Sequence, residues 1–89
     1  MYLHIGNGQI IQKKKIIGMF DLDSASISSI TRQFLKQQEN KGKLSYSGED
    51  LPRTFLLLEE EDGVDVRLSR ISTVGLRARM NTPMDGAEE

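Results

Sequence analysis

Lys13-Lys14-Lys15 and Arg53 are the residues of this 89-residue chain whose type and placement suit a chemistry, and that chemistry is contact with phosphate. An ammonium group is a mobile point charge, whereas a guanidinium is a planar fork that meets two acceptors at once. The three lysines interrupt two apolar segments, so all three side chains reach water. Arg53 follows Pro52 at the entrance to the apolar run Phe55-Leu56-Leu57-Leu58. If the strands pair so that these two places lie together, one edge of the protein becomes cationic. Lysine runs are also common on ordinary solvated surfaces, so the run alone names no ligand. Three or four such charges on one small subunit hold a polyanion weakly. An assembly repeats the contacts and multiplies them.

Other chemistries leave little trace. There is no GxSxG elbow, no GxxxxGK[ST] phosphate loop, no HExxH pair and no cysteine nucleophile. Gly6-Asn7-Gly8 resembles the start of a dinucleotide fingerprint, but Ile11 stands where the third glycine is needed. His4 alternates with Leu3 and Ile5 on a strand and has no identifiable partner for general-base work. It reads as a partly buried histidine bonded to backbone or to a neighbouring subunit. Glu59-Glu60-Glu61-Asp62 could ligate a cation, yet adjacent acids at a strand end usually form a solvated turn. With one histidine and no cysteine, a zinc site has no ligand set. The expectation is a protein that is not an enzyme, with no catalytic residue, no metal, no cofactor and no small-molecule substrate.

The net charge of −1 conceals a segregated distribution. Residues 1–48 hold seven bases against three acids, and residues 49–63 hold six acids against Arg53 alone. Residues 64–80 carry four arginines against Asp65, and the last nine residues carry three acids. A nearly neutral chain can therefore present basic surface, which is what matters to a polyanion. Met1 to Gly6 lacks the basic start and long apolar core of a signal peptide, and no apolar run approaches the roughly 18 residues that span a bilayer. A cytoplasmic protein with no membrane partner is expected.

These residues need elements to hold them. Tyr2-Leu3-His4-Ile5 alternates, Gly6-Asn7-Gly8 is a tight hairpin signal, and Gln9 to Gln12 reads as the return strand. Ile16 to Phe20 reads as a third strand, and Asp21 to Ser24 as a turn with helix-capping residues. From about residue 26 to 41, Ile27, Ile30, Phe34, Leu35 and Gln38 recur at helical spacing, with Gly42 at the C-cap. Lys43 to Tyr46, Phe55 to Leu58 and Val64 to Leu68 read as further strands, and Ser72 caps a last short helix. The order predicts an α+β fold: a small, mostly antiparallel sheet, one main helix at about 26–41 and a short C-terminal helix. One domain over 1–80 and a disordered acidic tail over 81–89 complete the reading.

Phe55 to Leu58 puts two apolar side chains on each face of a strand, where a half-wet strand alternates. One helix of about 16 residues covers one face of a small sheet and hardly both. Another copy of the chain is the simplest cover for the second face, which makes Phe55, Leu56, Leu57 and Leu58 a candidate oligomer interface. The alternative is that the first hairpin or the terminal helix folds over it. A chain of this size buries only about 60–65% of its unfolded surface, and it has no disulfide to help.

The order of short segments Met1-Tyr2-Leu3-His4-Ile5-Gly6, Ile16-Ile17-Gly18-Met19-Phe20-Asp21, Leu51-Pro52-Arg53-Thr54-Phe55 and Leu68-Ser69-Arg70-Ile71-Ser72 resembles the RemA/RemB (DUF370) family of extracellular-matrix (biofilm) regulators. The resemblance spans about residues 1–79. It implies a small α+β subunit that assembles into a ring-like homo-oligomer and binds double-stranded DNA to regulate transcription. One family DNA-binding position falls at Lys15, just before the third strand. The other is an arginine pair, of which this chain keeps Arg53 and has Pro52 in the first place. The functional expectation is an oligomeric DNA-binding regulator touching phosphates through Lys13, Lys14, Lys15 and Arg53. The rival is a non-enzymatic protein–protein interaction module, in which the basic patch is solvated surface.

Overall fold

The computed structural model describes residues 1–46, 48 and 50–81. The expected tail at 81–89 lies, beyond Asn81, outside the described residues. The chain runs β1 (Tyr2–Gly6), β2 (Gln9–Gln12), a 3-10 turn (Lys13–Lys15), β3 (Ile16–Asp21), α1 (Leu22–Ala25) and α2 (Ser29–Asn40). It continues through β4 (Leu44–Ser45), β5 (Thr54–Glu60), β6 (Gly63–Ser69) and α3 (Thr73–Met80). This is the α+β fold expected, with a small, mostly antiparallel sheet and a short C-terminal helix.

β1 and β2 form their own two-stranded hairpin. Its turn has Asn7 and Gly8 at φ 55° and 77°, the double positive φ that lets a two-residue loop match strand twist. The other sheet has the order β3-β5-β6-β4. The β3–β5 and β5–β6 pairs are antiparallel, but the two-residue β4 runs parallel to β6.

The main helix differs from its expected span. A break at Ser26 to Ser28 separates α1 from α2, and each helix has its own N-cap. Asp21 accepts from the Ser24 amide at 3.2 Å to start α1, and Ser28 accepts from Thr31 at 3.4 Å to start α2. The freed carbonyls of Ser26 and Ile27 accept from Arg32 Nη1 at 2.7 and 2.8 Å. The break also rotates the apolar stripe. Phe34 and Leu35 are half-buried and Gln38 is buried, but Ile27 and Ile30 are 79% and 77% exposed. The far end of α2 is as expected: Gly42, at φ 74°, donates to Glu39 O and Lys43 donates to Gln38 O, a Schellman close.

β5 is the middle of everything. One of its faces presents Leu56 and Leu58 to Leu3, Ile5 and Ile11 of the hairpin and to Leu76 of α3, all buried in one cluster. Thr54 lies on the same face and donates through its hydroxyl to Ile71 O at 2.8 Å. The opposite face turns Phe55 and Leu57 toward α2, and Phe55 stacks on Phe20 with ring centroids 5.0 Å apart. Both faces of the apolar run are thus covered by the same chain. The hairpin and α3 close the side for which a second copy was inferred. Phe55, Leu56 and Leu58 are buried and Leu57 is half-buried, so the run is consumed inside the subunit and the inference from it to an oligomer interface does not carry.

Candidate nucleic-acid interface

The lysine triplet forms a single 3-10 turn, the link that carries the chain from the hairpin into the four-stranded sheet. Its three side chains meet different fates. Lys13 Nζ donates to Arg79 O and Met80 O, each at 3.3 Å, and so sits on the open carbonyls at the C-terminus of α3. A cation there satisfies orphan acceptors and opposes the negative end of the helix dipole. Lys15 Nζ pairs with Glu60 Oε1 at 3.0 Å. Lys14 is exposed.

This end of the sheet also carries the acids. The turn between β5 and β6 holds Glu59, Glu60, Glu61 and Asp62 at the end of the sheet where β3 begins, since Ile16 pairs with Leu58, and Glu60 is the one that reaches Lys15. Lys43 adds a further ion pair, with Asp62 at 2.5 Å and Asp65 at 3.7 Å. The hydrogen bond from Lys43 holds the Asp62 carboxyl below its usual range, and the same bond raises the Lys43 ammonium above its own. The lysine end is therefore a self-neutralising network.

Arg53 stands at the other end. It precedes Thr54, which pairs with Asp21 and Ser69, whereas Lys15 reaches Glu60. Seven residue steps of strand separate Arg53 from Glu60, on the order of 20 Å at the usual rise. The structure does not bring Arg53 and the lysines onto one edge within a subunit. The pairing that would have joined them runs the opposite way, because β5 starts where β3 ends.

The backbone of Arg53 is clamped on both sides. Its amide donates to Ser69 O at 2.8 Å, and its carbonyl accepts from the Leu22 amide at 2.9 Å. The side chain is exposed, and among the described residues no ion pair engages it. Arg70 follows Ser69 on the adjoining strand and is exposed in the same way. Its stem lies over Gly6, where an added Cβ would come within 3.7 Å of Arg70 Cγ. Ser69 anchors this corner: its hydroxyl donates to Ile5 O at 2.7 Å and accepts from the Ile71 amide at 3.0 Å. The result is two exposed arginines, in no ion pair among the described residues, just beyond the Thr54–Ser69 rung on hydrogen-bonded backbone. Sequence reasoning did not single out Arg70, which the fold sets beside Arg53. The signal lay in its place in the Ser69–Ser72 turn, directly after an alternating strand.

Other expected features have plain positions. His4 is half-buried and faces Ile10 across the hairpin, and its carbonyl accepts from Arg79 Nη1 at 2.9 Å. Among the described residues no three His, Cys, Asp or Glu side chains cluster in a metal-holding group. No helix among them is long and apolar enough to cross a membrane.

No protein-family model matches this chain. The chain is similar to extracellular matrix regulatory protein B of Bacillus subtilis (strain 168), with 38% identity over 48 residues. The match takes in 54% of this chain and 58% of that protein, so it spans a little over half the length of each. It supports a relationship to matrix regulators of the RemB type.

Proposed function

We propose that this protein is an oligomeric DNA-binding regulator, acting on extracellular-matrix genes. The observation that carries the reading is the similarity to extracellular matrix regulatory protein B. The arrangement of cations supports it and changes its details. Arg53 and Arg70 are neighbouring exposed cations with no ion pair among the described residues, and Lys14 is the member of the triplet left exposed at the opposite end. Lys13 and Lys15 serve the fold first, through α3 and Glu60. Most contacts of such a surface go to backbone phosphates, which position the protein on the duplex. The two ends of one subunit are far apart, so a continuous cationic path along DNA comes from neighbouring subunits.

The surface that joins subunits lies elsewhere than in β5. Among the described residues β3 is an outer strand, hydrogen-bonded to β5 on one side only. Ile17 and Phe20 on it are exposed, and so are Ile27 and Ile30 just beyond. An open strand edge beside exposed apolar side chains is what a second copy uses to complete a sheet. A small subunit with no cysteine gains stability from that cover.

The test is light scattering coupled to size exclusion, with and without a duplex of about 40 base pairs, at two salt concentrations. The expected result is a multimer that Ile17→Asp reduces to a folded monomer, and DNA binding that falls steeply with salt, each neutralised phosphate adding about −0.9 to the slope of log K against log salt. A folded monomer that ignores duplex DNA at every salt concentration refutes the reading. One observation favours the rival, a protein–protein interaction module: the lysine end is internally neutralised, while Phe20, Ile27 and Ile30 are open. That module predicts multimers or protein complexes without salt-sensitive DNA binding.

A further inference from the structure

The cleft beside the lysine turn has no role in the reading above. Met1, Tyr2, Gln12, Lys13 and Lys14 line it, around a volume of about 500 Å³ where β1 begins and β2 runs into the 3-10 turn. The Lys13 amide donates to Met1 O at 3.0 Å, which holds the turn against the start of β1. The lining carries two lysine ammonium groups and no side-chain carboxylate. Lys14 is exposed and in no ion pair among the described residues. Acids of the β5–β6 turn are committed elsewhere, Glu60 to Lys15 and Asp62 to Lys43. Beside the cations, Met1 and Tyr2 are 63% and 41% exposed. The cleft therefore suits an acidic segment that also carries an apolar side chain.

The chain itself carries such a segment past this place. Lys13 Nζ holds the carbonyls of Arg79 and Met80, so the chain leaves α3 in contact with the residue next to Lys14. Residues 82–89, outside the described residues, hold Asp85, Glu88 and Glu89, no base, and one large apolar side chain, Met84. Asp85 follows Met80 by five residues, a reach of up to about 17 Å. A tether this short presents its acids at an effective concentration in the millimolar range. We propose that residues 82–89 dock on this cleft, with carboxylates against Lys14 and Met84 against Met1 and Tyr2. The contact needs charge and reach, not one fixed conformation. A polyanion that uses Lys14 must first displace the segment, which makes it a built-in competitor. That consequence rests on the DNA-binding reading; the contact itself does not.

The experiment acetylates the full chain with N-hydroxysuccinimidyl acetate and follows each lysine by mass spectrometry. An amine already engaged by a carboxylate reacts more slowly. Asp85→Asn/Glu88→Gln/Glu89→Gln should raise the Lys14 rate about two- to fivefold at low salt, the scale of an exposed ion pair, and leave it unchanged at about 0.5 M salt. Lys36, exposed on α2, should react alike in both chains. An unchanged Lys14 rate at low salt overturns the inference, whether or not the protein binds DNA. So does a difference that grows with protein concentration, which would make the occupant the segment of another copy. In a DNA titration the neutralised chain should bind duplex about two- to fivefold more tightly, and most of that gain should vanish in the Lys14→Ala background. An equal gain without Lys14 would mean general repulsion of DNA by three acids, and it overturns the docking. A protein that binds no duplex ends the DNA reading, and the Lys14 rate then decides the contact by itself.

Discussion

The two ends of β5 carry similar sequence signals and opposite physical situations. At one end three lysines look like the strongest cationic feature of the chain, yet Lys13 is committed to the carbonyls of α3 and Lys15 to Glu60. At the other, Arg53 and Arg70 look unremarkable in sequence, yet both are exposed on backbone held by Ser69 and Leu22. A cation's capacity to bind a phosphate depends less on its neighbours in sequence than on whether the fold has already given it an acceptor. Exchanging one acceptor for another yields little net free energy, whereas a free guanidinium gives up only water.

The largest expected effect tests whether both ends hang on one ladder. Leu56 is 0% exposed midway between them, and Leu56→Ala should cost about 2–5 kcal/mol of stability. Denaturant unfolding followed at both ends should show a single shifted transition. Two separate transitions would mean that the ends are independent.

Next comes the contrast in ligand binding. Arg53→Ala/Arg70→Ala should lower duplex affinity by tenfold or more, about 1.4 kcal/mol, with the melting temperature nearly unchanged. Lys15→Ala should change affinity by less than about threefold, because its ammonium is already engaged by Glu60. A DNA titration of both variants in which Lys15→Ala is the weaker binder would invert the comparison.

Lys13 should behave in the reverse sense. Lys13→Ala leaves the last carbonyls of α3 without their cation and should destabilise the fold by about 0.3–1 kcal/mol. Thermal melts at low and moderate salt should show a drop of a few degrees that shrinks as salt rises. No drop at low salt would mean that the contact contributes nothing.

The smallest effect is the pH dependence of the lysine end. The Asp62 carboxyl is held down by Lys43, so its contribution is present above the ordinary carboxylate pKa and lost as pH falls through the lower folded value. The Lys43 ammonium is raised, so its contribution is present at neutral pH and lost as pH climbs through the raised value. Asp62→Asn should therefore melt slightly below wild type at pH 7 and level with it near pH 2. A gap that persists at pH 2 would assign the difference to something other than this pair.

Much of the fold follows from local rules that the sequence states openly. Asn7-Gly8 makes the hairpin turn, Gly42 closes α2, Ser72 accepts from the Gly75 amide to start α3, and residues 64–68 alternate as β6. Each depends on a few adjacent residues, so type and spacing suffice. The break at Ser26 to Ser28 is also local, but the apolar period runs through Ile27 and hides the second N-cap, Ser28. The outward turn of Ile27 and Ile30 came with that break.

What only the tertiary structure decided was which side chains meet across long separations. The four-residue apolar run correctly announced a strand with two dry faces, but composition cannot say that the covers are a hairpin beginning at Tyr2 and a helix ending at Met80. Nor can it say that β3 and β5 pair antiparallel, which sends Arg53 and the lysines to opposite ends. Strand direction and register arise from the packing of all the elements together, and a side chain's electrostatic partner is set by that packing and not by its neighbours in the chain.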